Sequence, residues 1–298
     1  MRSAAVVGTG LIGTSIALAL RARGVRVHLL DENPEAAHTA ARLGAGVAGA
    51  PNAPVDLAVL AVPPQHVAAS LHQHQARGLA HDFTDVSSVK VRPQREAAEL
   101  GCDLARFVGG HPMAGREQSG PLAALPDLFH GRPWVLTPAG TAGERAVGRA
   151  TALAHLCGAR PVVMEPAQHD RAVALVSHTP HLVATLLAGR LLDGDASHLR
   201  LAGQGLRDAT RIAAGDADLW TDILSSNATA VVEVLTELAG ELGATLDALR
   251  ELAEGPPAHG TAGRAHLTAV LTRGVTGRGL IQGPAPDGLR LSGVAAGA

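Results

Sequence analysis

The sequence predicts two domains in series, an α/β domain over residues 1–164 and an all-α domain over 165–298. Three observations carry this reading. A glycine-spaced loop joins the first apolar run to the first helical pattern. Short apolar runs then alternate with helical segments to about residue 164. Beyond that point strand-like runs disappear and long helical patterns take over.

Residues 4–7 form the first strand, followed by Gly8-Thr9-Gly10-Leu11-Ile12-Gly13 and a helix through Ile16, Ala19 and Leu20. Strand, G-x-G-x-x-G, helix is a dinucleotide fingerprint of Rossmann type. The first glycine permits the turn, the second lets backbone approach a pyrophosphate, and the third lets helix pack on strand. The phosphates would sit at the helix N-terminus, where the N–H groups of residues such as Leu11 and Ile12 are free. A second strand, 25–30, ends at Asp31. Its carboxylate can accept hydrogen bonds from a ribose and, with Glu32, would repel a 2′-phosphate, which favours NAD over NADP. The competing reading makes Asp31 an ordinary cap for the helix that starts near Pro34.

The alternation continues with an apolar run over 57–62, ending at Val62-Pro63-Pro64, and a helix through Val67 and Leu71. Residues 82–86 lead into Ser87-Ser88-Val89-Lys90 and a helix from about 91 to 100. Phe107-Val108 opens into Gly109-Gly110-His111-Pro112-Met113-Ala114-Gly115, and strands at 134–137 and 161–164 flank a helix at 142–156. This predicts a doubly wound parallel sheet. Its ligands bind at the carboxyl ends of strands, where 8–13, Val62, Pro63, 87–90 and 109–115 all fall.

The second half reads as helices at about 167–192, 197–213, 217–242 and 244–254. The third is apolar around much of its circumference, from Ile223 to Leu238, and predicts a dimer core. The tail from Gly255 is expected to be loosely structured apart from a periodic stretch at 265–271. In the first helix Pro180 predicts a kink, and Asp170, Ser177 and His181 share one face beside His169 and His178. Polar groups on one stripe of an apolar helix must line a pocket or satisfy one another. Arg211, set between Thr210 and Ile212-Ala213, is expected to point inward towards an anion.

A net charge of −2 gives no electrostatic case for nucleic acid or an anionic membrane. No stretch is expected to span a bilayer. The two cysteines, Cys102 and Cys157, fit no disulfide or metal framework and predict small core residues of a cytoplasmic protein. Arginine is the default cation, and Lys90 is the one lysine. That isolation points to a place needing a compact ammonium instead of a planar fork.

His111 can be a satisfied core histidine or a proton acceptor held at the sheet edge. The motifs taken in order decide the expectation. Residues 8–13, Asp31, Asp85-Val86-Ser87-Ser88-Val89-Lys90, the 109–115 stretch, Ser177-His178-Thr179-Pro180-His181 and Asp208-Ala209-Thr210-Arg211 together resemble the prephenate/arogenate dehydrogenase family of tyrosine biosynthesis. The likeness covers about residues 4–245, with Ser87 where the family usually has glycine. It implies an NAD-dependent oxidation and decarboxylation of a cyclohexadienyl substrate by a homodimer, with His111 as general base and Ser88 bonding it or the substrate hydroxyl. Lys90 would lend positive charge near the nicotinamide pocket, and Arg211, Ser177 and His181 would hold substrate. Glu117 would pair with Arg211 until substrate arrives. Prephenate, giving 4-hydroxyphenylpyruvate, is the substrate the resemblance implies, with arogenate or 4-amino-4-deoxyprephenate as the alternative. 3-Hydroxyacid dehydrogenases and imine reductases share the plan but centre on a helical-domain Lys or Asp, and this helical half has no lysine. A regulator that binds NAD without turnover is the non-enzymatic alternative.

Overall fold

The structure is a computed structural model that describes residues 1–115, 118–254 and 262–282. Met1–Val234 form one compact unit, and a second begins at Leu235. The first begins with β1 (Ser3–Val7), α1 (Leu11–Ala22), β2 (Arg26–Leu30), α2 (Pro34–Arg42), the short β3 (Val47–Ala48) and β4 (Val55–Leu60). It continues through α3 (Val67–Ala76), β5 (Ala80–Asp85), α4 (Val91–Glu99), β6 (Phe107–Pro112), β7 (Pro133–Pro138), α5 (Glu144–Leu156) and β8 (Arg160–Val163). The sheet order is β3-β2-β1-β4-β5-β6-β7-β8.

The period-two alternation of β1 and β4 divides their side chains between two cores. Ala4, Val6, Leu57 and Val59 pack with Ile16, Leu20, Ala37, Ala40, Ala150 and Leu153 of α1, α2 and α5. Ala5, Val7, Ala58 and Leu60 pack on the other face with Val67, Leu71 and Ala97 of α3 and α4. Two buried faces explain why these strands read as continuous apolar runs.

The wholly parallel sheet expected from alternation needs correcting. β6 and β7 pair antiparallel, with His111 opposite Val135, and β8 then runs parallel to β7. A parallel return needs a crossover helix. Between β6 and β7 the described residues supply only loop and the 3-10 turn Pro121–Ala123, whereas α5 connects β7 to β8. β6 also runs on through Pro112, so His111 belongs to the strand end.

The helical part comprises α6 (Pro166–Val173), a π turn at Ala174–His178, α7 (Thr179–Gly189), α8 (Ala196–Leu199), α9 (Gln204–Thr210), α10 (Ala217–Ser226), α11 (Ala228–Glu254) and α12 (Ala262–Gln282). Three expectations change here. The helix read over 197–213 is two short ones. The break placed near 243 falls at Asn227. The tail expected to be loose contains α12, whose apolar residues are spread too evenly around the helix to give a periodic signal beyond 265–271. Residues 255–261 and 283–298 lie outside the described ones.

Contrary to expectation, Pro166–Asp193 is long and apolar enough to cross a membrane by length and composition. Its histidines, serine and threonines carry no formal charge to interrupt the window. His169, Asp170, His178 and His181 on it are buried, and the first three are hydrogen-bonded inside the protein, while Leu175, Val176 and Leu186 on it are exposed. α11 exposes Val232, Leu238, Leu242, Leu246 and Leu249.

Candidate active site

The glycine loop fits a dinucleotide. Gly8 has φ +93°, and a Cβ there would lie 2.2 Å from the Ala61 carbonyl oxygen; one at Gly13 would lie 1.9 Å from that of Gly8. Both are glycines for steric reasons internal to the fold. A Cβ at Gly10 would meet nothing within 4 Å. That open approach at the N-cap of α1 is where a pyrophosphate can reach the N–H groups of Leu11, Ile12 and Gly13. Asp31 leans over the loop, accepting hydrogen bonds from Thr9 N at 2.6 Å, Thr9 Oγ1 at 2.8 Å and Asn33 N at 2.9 Å. Asn33, not Asp31, caps α2. Val62 and the exposed Pro63 follow the end of β4.

At the carboxyl end of β6, His111 Nδ1 lies 2.8 Å from His169 Nε2, and His169 Nδ1 lies 2.7 Å from Asp170 Oδ1. A carboxylate only accepts, so it fixes the proton of His169 on Nδ1. His169 Nε2 then accepts from Nδ1–H of His111, and the lone pair of His111 rests on Nε2. This network assigns the tautomer that a general base requires. Burial first, then the neighbouring His169, Lys90 and His178, pull the imidazole of His111 well below its ordinary pKa. It therefore stands deprotonated at neutral pH.

Asp170 also accepts from the backbone N–H of Lys90 at 2.8 Å and of Val91 at 2.9 Å, capping α4 from the helical half of the chain. Asn227 completes the surround. Its Nδ2 donates to the Asp170 carbonyl at 2.9 Å and to His178 Nδ1 at 3.0 Å. Sequence reading grouped Asp170 with Ser177 and His181 but gave neither His169 nor Asn227 a role. A polar residue such as Asn at a helix break was the available signal.

The helix carrying these groups departs from its expected register. The π turn adds a residue just before Pro180, so His178 turns into the protein and Ser177 is only half-buried. His181 stacks on Trp220, with centroids 3.5 Å apart and planes 9° from parallel. Its Nδ1 is buried without a hydrogen-bond partner among the described residues.

Three further expectations need amendment. Ser88 sits half-buried between β5 and α4, and His111 Nδ1 is bonded by His169, so of the two partners expected for Ser88 the substrate hydroxyl is the one left to it on that side. Lys90 is 1% exposed and points into the fold, bonded to Asp85, so it offers no open charge to a cofactor. Arg211 is exposed, because α9 ends at Thr210 and a 3-10 turn begins with Arg211; none of the described carboxylates pairs with it. Glu117 lies outside the described residues. Cys102 and Cys157 are free thiols, Cys157 buried as expected and its pKa pushed up to about 12. No group of metal-ligating side chains occurs among the described residues.

His178 is held down to a pKa of about 4, mainly by burial, and burial also leads the lowering at His74, His111 and His181. A histidine whose folded pKa lies below its unfolded one binds fewer protons folded. Its stability contribution is complete above the unfolded value near 6.5 and falls as pH drops towards the folded value. The melting temperature is therefore expected to fall between pH 7 and 5, before most carboxylates titrate. His178→Asn should shallow that slope in thermal melts; a pH-independent Tm would contradict the neutral buried state.

The description "Prephenate dehydrogenase, nucleotide-binding domain" matches residues 16–163, and "Prephenate dehydrogenase, dimerization domain" matches 165–254. The probable prephenate dehydrogenase NovF of Streptomyces niveus is 48% identical over 256 residues, 86% of this chain and 71% of that one. The solved prephenate dehydrogenase of A. aeolicus, in complex with hydroxyphenyl propionate and NAD+, superposes with TM-score 0.81 at 27% identity, covering 95% of this chain and 99% of that one. Synechocystis arogenate dehydrogenase superposes at 0.77 with 26% identity, covering 94% and 99%. On these matches, the chain belongs to the prephenate dehydrogenase family.

Proposed function

We propose that this chain converts prephenate to 4-hydroxyphenylpyruvate and CO₂, with hydride leaving ring C4 and His111 taking the C4 hydroxyl proton. The enzyme is an NAD-dependent oxidoreductase of that family, and NAD when bound accepts the hydride. The observation that carries the reading is the His111–His169–Asp170 chain, which aims a lone pair from the strand edge. As the C–O bond becomes a ketone, Nε2 holds the proton. The C1–carboxylate bond then breaks, its electron pair aromatises the ring, and His111 returns the proton to the phenolate oxygen. No net proton is released, so the base needs no exit path to solvent.

Ser88 is left to bond the substrate hydroxyl, because His169 already orients the histidine. Ser177 and His181 line the facing wall, and the exposed guanidinium of Arg211 suits a substrate carboxylate. Residues 1–164 then serve the cofactor, and 165–298 serve substrate and self-association. The exposed apolar side chains of α11 support a homodimer. The reading places the enzyme in the cytoplasm, where its cofactor is.

NADH release is to be followed with prephenate, arogenate and 4-amino-4-deoxyprephenate under one set of conditions. Prephenate is expected to give the highest kcat/KM, and turnover confined to an amino substrate would overturn the assignment. Arg211→Ala is expected to raise the KM for prephenate about tenfold with kcat within threefold, the loss of one charge-assisted contact. An unchanged KM would remove Arg211 from the site.

A further inference from the structure

Beneath His111 lies a buried group that the proposed reaction does not use. The ammonium of Lys90 donates to Asp85 Oδ2, to Ser87 Oγ at 3.2 Å and to the Gly110 carbonyl oxygen at 2.5 Å. Asp85 in turn accepts from the Gly110 N–H through Oδ1 at 2.9 Å, and from Ser87 N through Oδ2 at 3.1 Å. Both polar groups of Gly110 are thus held by one ion pair, and the peptide leaving Gly110 is the one that enters His111.

We infer that Asp85, Ser87 and Lys90 form a positioning clamp that fixes the Gly110 peptide, and so the placement of His111, and that only a lysine can occupy it. A lysine ammonium has three N–H donors, and here it meets three acceptors. An arginine would bring five donors in a planar fork and leave at least two unsatisfied in a buried site. Space gives the same answer. A Cβ at Gly109 would lie 3.2 Å from Lys90 Cδ, and one at Gly110 would lie 2.6 Å from the Asp85 carbonyl oxygen. The glycine pair therefore lets the lysine stem and β5 close against β6. In a chain that uses arginine elsewhere, this explains the single lysine. Ser87 Oγ supplies the third acceptor.

The clamp rests on His111 being the base, so its test needs a readout independent of turnover. In native protein an amine-acylating reagent should label the α-amino group and spare Lys90; after unfolding, mass spectrometry should show the second label. Labelling of native Lys90 at the rate of a free amine would overturn the enclosed clamp. Lys90→Met and Lys90→Arg should lower kcat 10- to 100-fold, with KM and NAD affinity within threefold. Imidazole NMR, with His111 assigned by comparison with His111→Asn, should show its titration moved to higher pH in Lys90→Met. His169 and His178, the other side chains whose electrostatics bear on His111, are unaltered in that comparison.

Wild-type kcat and an unmoved His111 titration in Lys90→Arg would refute the requirement for lysine. If both lysine variants fail to fold, Ser87→Gly carries the test, with an expected three- to tenfold loss in kcat and a shifted His111 resonance. No change in either would refute the clamp. A wild-type protein inactive on all three cyclohexadienyl substrates would instead refute the proposed function and leave the labelling and NMR results to judge the clamp.

Discussion

Replacing His111 with asparagine is expected to lower kcat by about 10²–10⁴-fold, the usual contribution of a positioned general base. Asparagine keeps a polar group near the position of Nδ1, so the contact with His169 can persist while the proton acceptor at Nε2 is gone. NAD affinity should be unchanged, because the glycine loop lies at the end of β1 and is shaped by Ala61 and Gly8. The wild-type pH profile adds a second check. Burial and three nearby groups hold the imidazole below its ordinary pKa, so the acid limb of kcat should lie below the usual histidine range. The asparagine variant should lose that limb. Steady-state kinetics across pH, with NAD titrated separately, measure both; an unaltered kcat would remove His111 from the chemistry.

What the sequence disclosed followed how local each determinant is. The alternation of apolar runs and helical periods depends on neighbours a few residues apart, and it yielded the sheet, the helical half and the carboxyl-end location of the site. The glycine fingerprint was equally local, and the structure separates its steric glycines from the open one at Gly10. The reversal of β7 depended on a missing crossover helix, which apolar runs do not report. The π turn rotated His178 inward through one extra residue that a 3.6 period does not detect. The bond from His111 to His169 joins residues 58 apart, and no spacing rule reaches that far. Lys90 was legible as an anomaly. Its direction was not, because the carboxylate that turns it inward is Asp85, which sequence placed in the same motif without a role.

The helix-capping carboxylate yields the second large effect. Asp170→Asn keeps size and shape but converts one acceptor into a donor. If the new amide nitrogen faces His169, it donates to Nδ1 and drives the His169 proton to Nε2. That proton points at His111 Nδ1, so the His111 proton moves to Nε2 and the base is lost. The same substitution in a serine-protease triad costs about 10⁴-fold in kcat through a wrong tautomer. With one more imidazole in the chain, a loss of about 10²–10³-fold is expected here. Each rotamer turns the amide nitrogen against one backbone N–H of α4, that of Lys90 when the nitrogen faces His169 and that of Val91 when it faces away, so the cap loses one hydrogen bond in either case. Tm should fall as well, because a charged cap becomes neutral. Activity and stability separate in a double-mutant cycle with His169→Phe, which removes the relay while leaving the cap. If Asp170 acts through His169, Asp170→Asn should cost little further kcat in that background yet lower Tm by the same amount as in wild type. A full additional loss of kcat would mean that Asp170 reaches the reaction by another route, and a loss of Tm alone would reduce it to a helix cap.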